Sequence, residues 1–271
     1  MNRRAETSVP IARLSAVTES VRVLCREQVV VAILEVPRLR RHRVWRDVDP
    51  DQGRGLGVLL VPGFGFSDAS LVLTATWLRE RGYRPAGARI GLNIGCTSDL
   101  VKRIERRLEE HAEATGGRVV LFGQSRGGGL ARLVAVRRPD LVRGLITLAS
   151  PVLDPLGAHP KVLRIARFMA RLSQVGLPGL LTEDCLTGSC FDRSKKDLVA
   201  ALQVPAVAVY SPEDAIAPGH LCQDPYAECV EVRTTHTGMA LSPDLYTELA
   251  PRLAAWAAEE ESSEVLARRA S

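Results

Sequence analysis

Aromatic residues make up only 4% of the 271-residue chain, lysine occurs at four positions, and no apolar run approaches the length of a membrane span. The longest such runs, at 29–34 and 58–61, fall far short of the roughly 18 residues a spanning helix needs, which excludes a transmembrane role. The net charge of +5 comes from arginines interspersed with acids. Outside 38–43, which reads as a solvated helix end, no basic block stands apart and no aromatics interleave with one, so a nucleic-acid binder is excluded. A secretory leader is lacking too: Met1-Asn2-Arg3-Arg4 runs on through Glu6, Thr7, Ser8, Pro10 and Arg13 without an apolar core, and a cytoplasmic location is expected. Six cysteines are too few for a disulfide framework in a chain of this length. The close pairs Cys185/Cys190 and Cys222/Cys229 leave loop disulfides open, with free thiols the first expectation. Neither spacing is a C-x-x-C knuckle and no further histidine or cysteine cluster accompanies them, so neither a metal nor a cofactor is expected.

What is present is a hydrophobic content of 46%, enough to bury one sizeable core. Residues 1–54 read as an extension: a helix over 11–36, closed by Val36-Pro37, then a charged linker over 38–51. At the other end, the charged stretch 259–271 reads as a fraying tail. Between them, short apolar runs at 57–61, 84–90, 118–122, 144–148, 205–210 and 229–233 predict strands. Amphipathic stretches at 68–81, 97–114, 127–138 and 243–258 predict helices, with Ser98 and Ser242 as candidate caps. This alternation is the pattern of a mostly parallel sheet with helices on both faces, and the α/β class follows. Residues 151–203 are too long for a plain crossover and predict an inserted cap or lid. Within it, 161–175 is a basic amphipathic helix with Val162, Ile165, Met169 and Leu172 on one side. That side either packs on its own core or opens toward a lipid-like substrate.

The chemistry concentrates at Gly123-Gln124-Ser125-Arg126-Gly127, where a buried strand runs into a helix. A serine on so sharp a turn needs small neighbours, and the helix N-terminus behind it favours a developing oxyanion. Ser125 is the candidate nucleophile, and it needs a base. His42 sits in the basic linker, His111 on a charged helix face and His159 in the cap. His236 follows the last strand and is the candidate base, with His220 in reserve. Asp214, in the loop after the strand at 205–210, is the candidate orienting carboxylate, with adjacent Glu213 as the alternative. The oxyanion donors are expected to be the backbone N–H of Arg126 and that of Phe64, in Pro62-Gly63-Phe64-Gly65, with Gly65 second.

Val-Pro-Gly-Phe-Gly at 61–65, Gly-Gln-Ser-Arg-Gly at 123–127, Tyr-Ser-Pro-Glu-Asp at 210–214 and Thr-His-Thr-Gly-Met at 235–239 resemble bacterial, especially actinobacterial, α/β-hydrolases of the lipase and esterase type. The resemblance spans roughly 55–258 and takes in Gly91-Leu-Asn-Ile-Gly-Cys96, a segment without an evident chemical role. Many relatives carry His-Gly where this chain has Pro62-Gly63, so any contribution from that histidine is absent. The resemblance implies an α/β-hydrolase fold and ester hydrolysis through Ser125, Asp214 and His236, with Phe64 and Arg126 at the oxyanion. Hydrophobic acyl groups are the expected substrates, no cofactor is implied, and the oligomeric state is left open. An acyltransferase or thioesterase on the same fold is the alternative. A noncatalytic binding protein is disfavoured by the complete set of residues.

Overall fold

The computed structural model of the protein describes residue 31 and residues 33–270. Most of the expected helix over 11–36 lies outside them. Six strands form one sheet: β1 Gly57–Val61, β2 Arg84–Gly87, β3 Val119–Gln124, β4 Val142–Leu148, β5 Ala206–Tyr210 and β6 Glu228–Glu231. Their spatial order is β2-β1-β3-β4-β5-β6, and every neighbouring pair is parallel. The expected mostly parallel sheet is therefore wholly parallel.

The continuous apolar strands are explained by their two-residue period, which sends alternate side chains to opposite faces. Val58, Leu60, Val120 and Phe122 enter one core with Trp77, Tyr246 and Leu253. Leu59, Val61, Leu121 and Leu145 enter a second core with Ile104, Leu108, Leu130 and Val134. The helices supplying these partners are α2 Val72–Glu80 and the C-terminal helix on one face, and α3 Thr97–Thr115 and α4 Arg126–Arg137 on the other.

Several boundaries differ from expectation. β2 stops at Gly87 rather than at 90, because Arg89 (φ 54°) and Gly91 (φ 71°) turn the chain away from the sheet. Val36-Pro37 does not close a helix. Residues 33–41 are helical through the proline, and a short helix, α1 (Arg43–Arg46), follows. Burial compensates the hydrogen bond that Pro37 cannot donate: Leu39 is fully inside the core. The supposed linker is strapped down as well, since Trp77 Nε1 donates to the Val44 carbonyl and buried Arg81 donates to the carbonyls of Val44, Trp45 and Asp47. The C-terminal stretch is helical, and the last helix runs from Pro243 to Ala270. Arg118 and Arg143 hold Glu260 against the body at its midpoint. Ser98 lies inside α3, not at its cap, and its hydroxyl meets the Cys190 sulfur at 3.1 Å.

Between β4 and β5 the chain forms α5 Pro160–Gln174, α6 Asp184–Thr187 and α7 Ser189–Leu198. α5, α6 and the segment between them build a small apolar cluster of their own, Ala166, Ala170, Leu181 and Leu186, against Phe64. α7 packs back on α3 and α4 and delivers Leu198 to the second core. The remaining short helix, α8 (Gly219–Cys222), and the last helix, α9 (Pro243–Ala270), flank β6 in sequence. The fold's functional geometry follows from the strand order. β1 has β2 on one side and β3 on the other, so the loops leaving β1 and β3 diverge and open a crevice at their carboxyl ends. No helix among the described residues is long and apolar enough to cross a membrane.

Candidate active site

Ser125 stands at that crevice with φ 52° and ψ −126°, a backbone conformation unfavourable for any residue with a side chain. Its neighbours hold it there. The Ser125 N–H donates to the Leu148 carbonyl on β4 (2.7 Å), and the Ser125 carbonyl accepts from the Gly128 N–H (2.9 Å). Glycine is required on both sides by close approach. A Cβ at 123 would lie 2.5 Å from the Gly127 carbonyl oxygen, and one at 127 would lie 2.3 Å from that of Val61.

His236 and Asp214 reach the same point from the loops after β6 and β5. His236 Nε2 is 3.0 Å from Ser125 Oγ, and its Nδ1 is 2.7 Å from Asp214 Oδ2. The other Asp214 oxygen accepts the N–H groups of Ile216 and Ala217, both at 2.8 Å. Its side chain is 1% exposed. A buried carboxylate so fully bonded has one orientation, and it fixes the imidazole ring. The alternatives lie elsewhere: Glu213 and His220 are both exposed. His42 Nδ1 and His159 Nδ1 accept backbone N–H groups at the starts of α1 and α5. His111 is buried rather than on a charged face. Its Nε2 is 2.9 Å from the Arg84 carbonyl, and desolvation lowers its pKa.

The loop after β1 supplies backbone donors. Phe64 and Arg126 N–H groups meet no acceptor among the described residues, whereas the Gly65 N–H is taken by the Asn93 carbonyl at 3.1 Å. Of the two expected positions in that loop, Phe64 is thus the one with a donor to spare. Gly63 backs directly on the serine, since a Cβ there would sit 3.5 Å from Ser125 Cβ.

Three residues without a role in the sequence reading hold this arrangement. Fully buried Asn93 donates through Nδ2 to the Pro62 carbonyl (2.7 Å), and its N–H donates to the Phe66 carbonyl. Its Oδ1 accepts from Arg126 Nη1 (2.8 Å), while Arg126 Nη2 donates to the Gly95 carbonyl and to Thr97 Oγ1. The segment 91–96 therefore clamps the loop at 62–66 to the start of α4. Ser211 Oγ donates to the Thr234 carbonyl (2.6 Å) and accepts from the N–H groups of Glu213 and Thr234, tying the loop after β5 to the loop after β6. Gln124 Nε2 donates to the His236 carbonyl. None of the three announces itself by residue type, because each acts on backbone that only the fold brings near.

An apolar cavity of about 140 Å³ opens beside Ser125, lined by Phe64, Leu130, Leu156, Val162, Leu163 and Ala166 among others. It lies between the sheet edge and α5. The cysteines among the described residues are unbridged. Cys222 and Cys229 take different backbone partners, and Cys185 and Cys190 stand 3.8 Å apart at sulfur. Cys96 joins the latter two, all three sulfurs lying within 4.8 Å of one another. A serine hydroxyl, an imidazole held by a carboxylate, paired backbone donors and an apolar cavity together can perform nucleophilic acyl transfer.

A model of the alpha/beta hydrolase fold matches residues 45–262. Among solved structures, the chain is similar to the monoacylglycerol lipase of Paleococcus ferrophilus, at 16% identity and a TM-score of 0.52 over 76% of this chain and 94% of that one. It is similar to the mature lipase of Bacillus licheniformis at 15% identity and a TM-score of 0.55, over 73% of this chain and 92% of the other. A thioesterase domain from the curacin biosynthetic pathway aligns at 17% identity and a TM-score of 0.50, over 74% and 91%. No curated protein matches the sequence.

Proposed function

The chain belongs to the α/β-hydrolase fold family, and from that premise we propose that it is a serine hydrolase cleaving carboxylic esters through Ser125, His236 and Asp214. The observation that carries the reading is the pair of contacts at one imidazole, 3.0 Å to Ser125 Oγ and 2.7 Å to Asp214 Oδ2. His236 Nε2 takes the Ser125 proton as Oγ attacks the ester carbonyl carbon. The N–H groups of Phe64 and Arg126 hold the negative charge that forms on the carbonyl oxygen, at the positive end of α4. His236, now an imidazolium steadied by Asp214, returns the proton to the departing alkoxide and leaves an acyl group on Ser125. Water, deprotonated by the same imidazole, then attacks the acyl carbon, and the imidazolium returns that proton to Ser125 Oγ as the acid departs.

The cavity defines the acyl side of the substrate. Its lining supports an apolar group, and its volume is close to that of cavities that admit a benzene-sized guest. Short to medium acyl chains fit without rearrangement of α5, and longer ones require the cap to open. The similarity to a thioesterase domain makes an acyl thioester the natural second substrate to try, since only the leaving group changes.

The test is hydrolysis of p-nitrophenyl esters from acetyl to palmitoyl, alongside an acyl thioester, by the wild type and by Ser125→Ala. Ester turnover highest at short to medium chains, lost by about 10⁴-fold or more in the variant, is the expected result. A Ser125→Ala protein that retains wild-type turnover refutes the reading, and a wild type that acts on the thioester alone replaces it with thioester cleavage.

A further inference from the structure

Cys96 lies far upstream of the close pair Cys185 and Cys190, and none of the three plays a part in the ester mechanism. Cys96 stands at the start of α3, in the segment that Arg126 grips, while Cys185 lies on α6 and Cys190 on α7. Cys185 and Cys190 are buried and Cys96 is half-buried. Their grouping was not foreseeable from spacing, because the third sulfur arrives from ninety residues upstream.

The geometry points to a binding site for a thiophilic divalent d¹⁰ cation of the zinc class, held by the three sulfurs between the core and the cap. Two thiolates on one tetrahedral zinc, each at about 2.3 Å, stand about 3.8 Å apart. That is the observed Cys185–Cys190 separation, and it is far longer than the roughly 2.05 Å of a disulfide. The third sulfur lies within 4.8 Å of both, so closing the triangle needs a shift of about an ångström. Sulfur alone, without imidazole or carboxylate in the group, selects a soft ion over magnesium or calcium.

Charge supports a divalent ion. Coordination releases three thiol protons to solvent, and three thiolates around a dication carry a net charge of −1. The guanidinium of Arg126, whose hydrogen bonds go to Asn93, Gly95 and Thr97 rather than to a carboxylate, supplies the compensating +1. Hydroxyls stand where outer partners of the sulfurs belong, Ser98 Oγ 3.1 Å from Cys190 Sγ and Thr182 Oγ1 3.5 Å from Cys185 Sγ. An ion here would staple α6 and α7 to the segment that positions the oxyanion loop.

The experiment is titration of the full chain, kept reduced with a phosphine, by cobalt(II) and then zinc(II), read as the thiolate-to-cobalt charge-transfer band and as metal per chain. The starting protein is Cys25→Ser/Cys222→Ser/Cys229→Ser, which keeps only the three thiols at issue. It is expected to bind one cobalt per chain with the band, which zinc displaces. Adding Cys185→Ser or, independently, the half-buried Cys96→Ser should weaken binding by more than the roughly 10–100-fold that loss of an outer partner costs. Circular dichroism and ester turnover report that each variant is folded. Absence of the band in the starting protein overturns the site, and so does a folded Cys96→Ser variant that binds as tightly as its parent.

Discussion

The carboxyl edge of the sheet and the cap above it face one another across the same cavity, yet they are held by different forces. At the edge, position is set by backbone sterics and charge-assisted hydrogen bonds. Asp214 accepts three bonds, Ser211 spans two loops, and Gly123 and Gly127 sit where no Cβ fits. In the cap, position is set by apolar contact among Ala166, Ala170, Leu181 and Leu186. The first kind of constraint fails sharply, because a 1 Å displacement of reacting groups costs about 10²-fold. The second tolerates changes of volume at modest cost. On this reading chemistry is invested in the rigid edge and substrate choice in the adaptable cap.

The sharpest way to break that division is Asp214→Asn. It preserves shape and still accepts the N–H groups of Ile216 and Ala217, but it presents an amide to His236 Nδ1 and imposes the wrong tautomer. Turnover of the best ester is expected to fall about 10⁴-fold with circular dichroism unchanged. Gly127→Ala tests the steric half of the argument. The added methyl would press on the Val61 and Pro62 carbonyls and displace the loop carrying Phe64, so kcat should drop by about 10²-fold, and wild-type kcat would show the edge to be as pliant as the cap. In the cap, Ala166→Leu adds volume to the cavity wall. It should lower kcat/KM for the longest accepted acyl chain by about tenfold while leaving the acetyl ester nearly unchanged, as a chain-length series would record.

The smallest expected effect concerns His111, a buried histidine remote from the edge. Desolvation lowers its pKa, so the fold favours the neutral ring. Above the ordinary value of about 6.5 both folded and unfolded chains leave it neutral, and no stability is lost. As pH falls below that value the unfolded chain takes up a proton that the folded one resists, and stability declines. Urea midpoints measured between pH 7 and about pH 5 should fall less steeply in His111→Gln than in the wild type.

Much of this could be read from residues alone, for identifiable reasons. The strands β1, β3, β4 and β5 were legible because a strand covered on both faces must be apolar throughout. Ser125 was legible because an elbow demands glycine at fixed distances along the chain. What escaped depended on partners distant in sequence. Pro37 should end a helix by local rules, but the burial of Leu39 carries the helix through it. Asn93 sits in a segment without an evident chemical role in the sequence, and only the packing of 91–96 against 62–66 and Arg126 makes it a clamp. His111 looked solvated by the charges around it on α3, although its ring turns toward β2.

By itself the sequence determined the continuous apolar runs, the helices between them, and hence a mostly parallel sheet with helices on both faces, because those patterns follow from backbone geometry within a few residues. It also determined which side chains are available as nucleophile, base and acid. Only the tertiary structure decided that β1 lies between β2 and β3, and so where the crevice opens. It alone brought His236 to Ser125 and Asp214 to His236, across 111 and 22 residues of chain, and gathered three cysteines at one point. The physical reason is the same in each case: a hydrogen bond or a cluster of sulfurs depends on distances of a few ångströms, and along a folded chain those are set by packing rather than by position in the sequence.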